Sequence, residues 1–218
     1  MIARKRHRTA VYIALWLLAF GFALLADAYV ASHIYSSGTY DHVKNSIFFQ
    51  LLKAPGTFYV TLLAIALAWR AGTSLFRAIV LLCSSAAIAG LFYSILKWTF
   101  GRPRPISNAI FNSNPRQLHF FDGGWYGLFR SSPDLSFPSG HACLAFATAT
   151  ALSMCIPRWA AAFYTVAAMV GMERVLEGAH YVSDVVAGAG FGILAALVAG
   201  RLCDWMLTRS RTGNELAS

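Results

Sequence analysis

Arg174, His180 and Asp184 are the residues of this chain whose types and spacing point most directly to chemistry. The arginine stands six positions before the histidine, Gly178 interrupts the chain between them, and the aspartate follows the histidine by four. Gly178 is placed to end one helix and Ser183 lies early in the next, so Arg174 and His180 are predicted to face each other across a tight hairpin. That sets a fixed cation beside an imidazole. His180 and Asp184, four apart on the second helix, share one face, where the carboxylate can accept Nδ1–H and leave Nε2 free to attack. The pair has the geometry of an oriented nucleophile or base. Standing alone, it would be read first as a helix-end histidine capped by a carboxylate for structural reasons.

Two further clusters accompany it. In Lys97-Trp-Thr-Phe-Gly-Arg102-Pro-Arg104-Pro105 each proline fixes its own φ and pushes the preceding residue to extended geometry, so the arginines are presented on a stiff arm. Arginine offers a planar fork that matches phosphate oxygens and lysine supplies a point charge, although basic residues snorkelling to headgroups would give the same composition. In Pro138-Ser139-Gly140-His141 a helix must begin, and its first N–H groups, the Ser139 hydroxyl and the close approach allowed by Gly140 make an anion site. His141 in that first turn is disfavoured as an imidazolium unless an anion is nearby. A metal held by His141, His180 and Asp184 is the alternative. Three fixed cations would repel a divalent ion and suit an oxyanion of about two charges, so no metal or other cofactor is expected.

These side chains must be positioned by an apolar chain. Of 218 residues, 57% are hydrophobic and 12% charged, which argues for a polytopic membrane protein rather than a soluble one. The net charge of +9 does not point to nucleic acid, because the basic residues lie at the ends of apolar runs; anionic lipid or phosphate is the expected partner. Cys83, Cys143, Cys155 and Cys203 fall inside apolar segments without CxxC spacing and read as core residues. Residues 9 to 30, after a basic opening, are read as a first span, with a cleaved secretory signal ending near Ala26-Asp27-Ala28 as the alternative. Residues 41 to 53 are read as an amphipathic interfacial segment without a site. A second span over 55 to 69 is short and must borrow from 48 to 52 or kink at Pro55-Gly56. A third runs from Arg77 to Leu96, a fourth from His141 to before Pro157, a fifth from Trp159 to Leu176 and a sixth from Tyr181 to Leu207. Arg201 and Asp204 are expected to pair near its end. Between the third and fourth spans, residues 98 to 137 are expected to form a polar loop, broken by Pro103, Pro105, Pro115, Gly123, Gly124 and Pro133. Its Phe111, Phe120, Phe121, Trp125, Tyr126 and Phe129 suit a headgroup-level aromatic belt.

The expected fold is therefore an all-α bundle of six transmembrane helices, one domain over residues 1 to 218, with both termini on one side. The side of the termini holds ten Lys and Arg against eight opposite, or five once Lys97, Arg104 and Arg174 are set aside as functional. This places the termini in the cytoplasm. Up-and-down threading then brings Lys97, the Pro138–His141 turn and the Arg174–His180 turn to the same extracytoplasmic ends. Ionisable residues at membrane depth are costly unless paired or functional, so their clustering marks a site.

Lys97-x6-Arg104-Pro105, Pro138-Ser139-Gly140-His141 and Arg174-x5-His180-x3-Asp184 resemble the three-part signature of the type 2 phosphatidic acid phosphatase superfamily, whose soluble relatives include vanadium haloperoxidases. The resemblance covers residues 97 to 184. It implies that His180 is a nucleophile forming a phosphohistidine, that Asp184 orients it, and that His141 protonates the leaving oxygen. Lys97, Arg104, Ser139, Gly140 and Arg174 would hold the phosphoryl oxygens, and Arg102 is not a motif position. Glu173 departs from the serine usual before the motif arginine. The implied activity is metal-independent hydrolysis of a lipid phosphate or diphosphate, with undecaprenyl diphosphate, phosphatidic acid, phosphatidylglycerophosphate and lipid A as candidate substrates. It would act at the outer face of a bacterial inner membrane. A phosphotransferase of the same family, and a lipid-phosphate binding or transport protein without turnover, are the alternatives. Because catalysis needs His180 neutral and His141 protonated, a bell-shaped pH–rate profile is expected.

Overall fold

The computed structural model describes residues 2–106 and 135–215, with side chains described from 10 to 106 and from 135 to 209. The aromatic residues assigned above to a headgroup belt lie outside the described residues. Among the described residues the chain is helical, with one isolated bridge between Pro103 and Leu135. Helix α1 spans Ile2–Ser36, followed by the short α2 (Thr39–Asn45) and α3 (Ile47–Leu52), a 3-10 turn at Ala54–Gly56 and α4 (Val60–Arg70). Helix α5 covers Leu75–Phe100, α6 Gly140–Cys155, α7 Ala160–Leu176 and α8 Val182–Glu215.

Three of these helices are long and apolar enough to cross a membrane: Ala10–Ser36 within α1, α5, and Val182–Arg209 within α8. A fourth span is available if Ile47–Gly56 and Val60–Arg70, which meet at a bend of 69°, count together. The break between them, at residues 57 to 59, directly follows Pro55-Gly56, where a kink is one of the two ways the sequence offers to complete this span. Large apolar side chains face outward along these helices, with Leu25 80% and Leu63 69% exposed. An apolar exterior of this extent requires lipid, and the chain is an integral membrane protein.

The helix ends follow from local chemistry. Ser74 caps α5, its Oγ accepting from the Arg77 backbone at 3.3 Å. Gly101 closes that helix at φ 55° and Gly178 stands just beyond the end of α7 at φ 65°, left-handed conformations that favour glycine. Helix α8 begins at Val182, so His180 precedes it by two residues instead of lying on it. The reason is that Gly178 turns the chain and the residues after it close back on α7, the Ala179 and His180 amides both donating to the Arg174 carbonyl at 3.2 Å.

Helix α8 is the spine of the bundle and packs most extensively on α6 and α5. Lipid tails are as apolar as leucine, so close backbone approach between small residues takes over the work of holding helices together. Ala142, Cys143, Ala147, Ala187, Ala195 and Ala196 are all buried. A Cβ on Gly188 would lie 2.6 Å from the Ser139 carbonyl oxygen, and one on Gly192 would collide with the carbonyl of Cys143. Helix α1 joins α8 through the Trp16 indole, which donates to the Val186 carbonyl at 3.0 Å. At the other end of α8, Asp204 pairs with Arg77 of α5 at 3.1 Å and not with Arg201. The last turns of α8 abut the start of α5, where Cys203 Sγ lies 4.0 Å from the Arg77 carbonyl.

Replacing Gly192 with valine is expected to lower stability by about 1–3 kcal/mol, several degrees in Tm, because the clash is with backbone that cannot rotate away. Thermal unfolding in detergent measures this, and an unchanged Tm would show that α6 and α8 are not held at this separation.

Candidate active site

The site grows from the segment between α7 and α8. His180 is 3% exposed, and its Nδ1 lies 2.8 Å from the backbone carbonyl of Ser136. A carbonyl can only accept, so Nδ1 carries the proton and Nε2 of the neutral ring is left with its lone pair. Asp184 Oδ2 is 3.8 Å from the same Nδ1, beyond hydrogen-bond reach. The carboxylate is engaged elsewhere: Oδ2 accepts from the Ser136 hydroxyl and from the Tyr181 amide at 2.8 Å, and Oδ1 accepts from Arg102 Nη1 at 2.6 Å. Asp184 therefore supports His180 through Ser136, where the i, i+4 spacing suggests a direct bond. Burial pushes the His180 imidazolium below its ordinary value, the favourable pull of Asp184 being outweighed with Lys97 and Arg104 adding to the depression. The ring is neutral at pH 7.

Arg102, which the motif passes over, is 4% exposed and sits at the centre of the polar interior. Its Nη1 donates to Asp184 and to the Ser183 hydroxyl at 2.7 Å, and its Nη2 donates to Asp27 of α1 at 2.8 Å. Asp27 in turn accepts from the Ser183 amide at 2.9 Å and from the Ser183 hydroxyl at 2.5 Å. Burial works against the guanidinium's charge, but Asp184 and Asp27 more than offset it and hold its pKa above the ordinary arginine value.

Arg174 is buried and doubly held. Its Nε and Nη2 donate to the two oxygens of Glu173 at 2.6 and 2.7 Å, and it also pairs with Glu177. Lys53 completes this quartet, pairing with Glu177 and lying 3.8 Å from Glu173. Residues 31 to 56 thus do reach the site, through a lysine that the sequence leaves in an interfacial segment. The 3-10 turn after it rests on α6, where a Cβ at Gly56 would lie 2.8 Å from both the Cβ and the carbonyl oxygen of His141.

Ser139 caps α6 by accepting from the Ala142 amide at 3.4 Å, and its own amide donates to the Asp184 carbonyl at 3.0 Å. Gly140 lies against Tyr93, whose ring a Cβ would meet at 3.3 Å. His141 stands in the combined field of Arg174, His180, Lys53 and Lys97. Lys97, at the end of α5, shares its surroundings with Arg104 and Asp184. Arg104 Nε is buried without a hydrogen-bond partner among the described residues. A buried donor left unmade costs about 1–3 kcal/mol, which an oxyanion would recover. Lys97, Arg104, His141, Arg174, His180 and Asp184 are brought together, and Ser139 and Gly140 start the helix that carries His141.

Sequence reasoning missed Asp27, Arg102, Ser136, Lys53 and Glu177. A signal existed for Asp27, a lone carboxylate within a long apolar run, and such residues are functional by default. None existed for the Lys53–Glu177 pair, whose members are joined only by the fold.

Fold and site together define an all-helical membrane protein that presents a neutral, oriented histidine amid fixed cations. The chain belongs to the PAP2 superfamily, whose family model matches residues 78–206. It is 36% identical over 146 residues to the lipid A 1-phosphatase of Rhizobium etli, covering 62% of this chain and 56% of that protein. Against the lipid A 1-phosphatase of Porphyromonas gingivalis the identity is 36% over 100 residues, 42% of this chain and 22% of that one. The chain spans about half the length of the Rhizobium relatives it matches. The crystal structure of Aquifex aeolicus LpxE has a similar fold, at a TM-score of 0.52 and 24% identity over 73% of this chain and 91% of that chain.

If Arg104 is aimed at an oxyanion, Arg104→Ala is expected to weaken binding of orthovanadate about tenfold or more, whereas Arg77→Ala leaves it unchanged. Calorimetric titration of the detergent-solubilised protein reads both, and equal affinities would remove Arg104 from the site.

Proposed function

We propose that this protein is a metal-independent lipid phosphate phosphatase that works through a phosphohistidine, with a lipid A phosphate as the substrate that its relatives favour. The carrying observation is the fixed tautomer of His180: with Nδ1–H committed to the Ser136 carbonyl, the Nε2 lone pair is the ring's nucleophilic edge. Nε2 attacks phosphorus, the bond from phosphorus to the lipid oxygen breaks, and His141 delivers a proton to that oxygen. A water then attacks the phosphohistidine, gives its proton to His141, and releases inorganic phosphate with His180 restored.

Lys97, Arg104 and Arg174 stabilise the equatorial oxygens, supplemented by Ser139 and the first N–H groups of α6 at Gly140. Phosphoryl transfer asks for little beyond this positioning and charge stabilisation. Asp184 holds Ser136 and the start of α8, and through them the ring. On this reading α1, the bent α3–α4 unit, α5, α6, α7 and α8 make six crossings with both termini in the cytoplasm. The site then opens at the outer face of a bacterial inner membrane, where a lipid headgroup enters while its acyl chains stay in the bilayer. The lipid A 1-phosphatase relatives favour lipid A over undecaprenyl diphosphate, phosphatidic acid and phosphatidylglycerophosphate.

Phosphate release from a panel of these four lipids in detergent is expected to be fastest for lipid A, to persist in EDTA and to vanish in His180→Ala. A protein that binds lipid A but releases no phosphate from any of the four would be a binder and not a hydrolase.

The pH–rate profile supplies a second test. His180 must be neutral to attack, and its value is depressed below 6.5. Activity is therefore expected to fall only as the pH drops through a midpoint lower than that, while the alkaline limb belongs to His141. An acid limb centred above 6.5, or a profile unchanged by His141→Ala, would contradict these roles.

A further inference from the structure

Arg102 touches every segment that fixes the His180 ring. Its backbone carbonyl accepts from the Ser136 amide at 2.6 Å, and the Ser136 carbonyl is what receives Nδ1–H of His180. Its guanidinium lies 3.8 Å from the centroid of the Tyr181 ring, immediately after His180. Its Nη1 draws on Asp184 and Ser183, and its Nη2 is held by Asp27 from α1. We infer that Arg102, gripped by Asp27, is a positioning residue for the nucleophile, holding the Asp184 carboxylate off the His180 ring so that Ser136 alone takes the Nδ1 proton. The inference rests on the hydrolase reading only for its consequence on rate.

The charges argue that this is more than a latch between helices. Arg102, Asp27 and Asp184 are each at most 4% exposed, so the trio buries one cation with two anions. Desolvating three charges costs several kcal/mol per ion before their attraction is counted, and an apolar contact would join α1 to α8 as well. What an apolar contact cannot do is compete for Asp184. The carboxylate sits 3.8 Å from His180 Nδ1, within one small rotation of bonding it directly. In that arrangement it would stabilise the imidazolium and so lower the share of neutral ring at a given pH. Arg102 supplies the competing pull at 2.6 Å. Asp27 supplies the second anchor, which keeps the planar fork in one orientation.

The charged groups facing His180 are Asp184 on α8, Lys97 on α5, Arg104 and Arg102 on the segment after it, and His141 on α6. From α7, Arg174 adds its charge, already matched by Glu173 and Glu177; from α1, Asp27 acts through Arg102 and through Ser183. Neutralising Arg102 removes one cation from this set and frees Asp184 at the same time, and both changes favour the imidazolium. Neutralising Asp27 leaves Arg102 to draw harder on Asp184, so the ring's midpoint stays or falls. The two substitutions therefore have different signs, which a loss of packing alone would not produce.

The test is a histidine-15N NMR titration of the full chain in detergent without substrate, with His180→Ala identifying the resonance. Arg102→Gln is expected to raise the His180 midpoint by about one pH unit, and Arg102→Lys, which keeps the charge but not the fork, to restore part of the difference. Asp27→Asn, close in shape to the native residue and expected to fold, should leave the midpoint level or lower. With lipid A as substrate, Arg102→Gln should lower kcat roughly tenfold to a hundredfold with KM held within about threefold, as for partners that orient a reacting group from behind it. A His180 midpoint unmoved in Arg102→Gln, or raised in Asp27→Asn, overturns the inference whether or not the protein proves to be a hydrolase. Absence of phosphate release in the unmodified protein overturns the hydrolase reading and leaves the titration to decide this one.

Discussion

The burial of Asp184 is the constraint from which the rest of the structure follows. A carboxylate with no exposed surface is unfavourable by several kcal/mol unless fixed donors replace its water, and here the donors come from segments far apart in the chain. Arg102 arrives on the proline-stiffened arm after α5, Ser136 on the segment before α6, and the Tyr181 amide from the turn before α8. The backbone carbonyl of Asp184 adds a fourth tie, accepting from the amide of Ser139. Removing any one of the three donors to the carboxylate would leave the charge under-solvated, and with the backbone tie to Ser139 the three motif regions are held in register by a single residue. Asp27 extends the same logic to α1, since Arg102 cannot satisfy two carboxylates without fixing the helix that carries the second.

The helix packing serves that polar centre. Helices α6 and α8 approach closely because Gly188 and Gly192 present no side chain to the backbone of α6. The contact at Gly188 is with the carbonyl of Ser139, the residue that caps α6 and donates to Asp184. Small-residue packing of this kind, the usual means of joining helices in lipid, therefore also sets where His141 begins. Gly56 acts in the same way from the other side, bringing the turn after Lys53 directly onto His141.

How much of this was legible in the sequence depends on whether the partners are local. The Gly178 turn and the Ser139 cap are each written in a few adjacent residues and found where the spacing predicts, and the bend of the α3–α4 unit follows directly after Pro55-Gly56. The three charged clusters were legible as a group because apolar helices leave few places for cations. The register of the partners was not. An i, i+4 spacing made Asp184 the natural acceptor for His180, yet the chain turns at Gly178 and α8 starts only at Val182, so the carboxylate points to Arg102 and Ser136 instead. Arg201 likewise looked like the partner of Asp204 on spacing alone, and the fold supplied Arg77. Glu173 was legible as a departure from the family pattern, but its partners, Arg174 beside it and Lys53 far before it, required the bundle.

These carboxylates also shape the charge balance that a phosphoryl group would meet. Lys53, Lys97, Arg102, Arg104 and Arg174 supply five cations, against four anions from Asp27, Glu173, Glu177 and Asp184. With both imidazoles neutral, the resting site carries one net positive charge. A dianionic phosphoryl group would turn that into one net negative charge, at a position where His141 already stands among Arg174, His180, Lys53 and Lys97. Protonating His141 then restores neutrality. On the proposed reading, binding of the dianion and protonation of the general acid are linked, so the acid receives its proton as substrate arrives and His180, its Nδ1 committed to Ser136, stays neutral beside it. Glu173 and Glu177 favour this outcome by offsetting Arg174 and Lys53, whose unmatched charges would otherwise oppose the imidazolium.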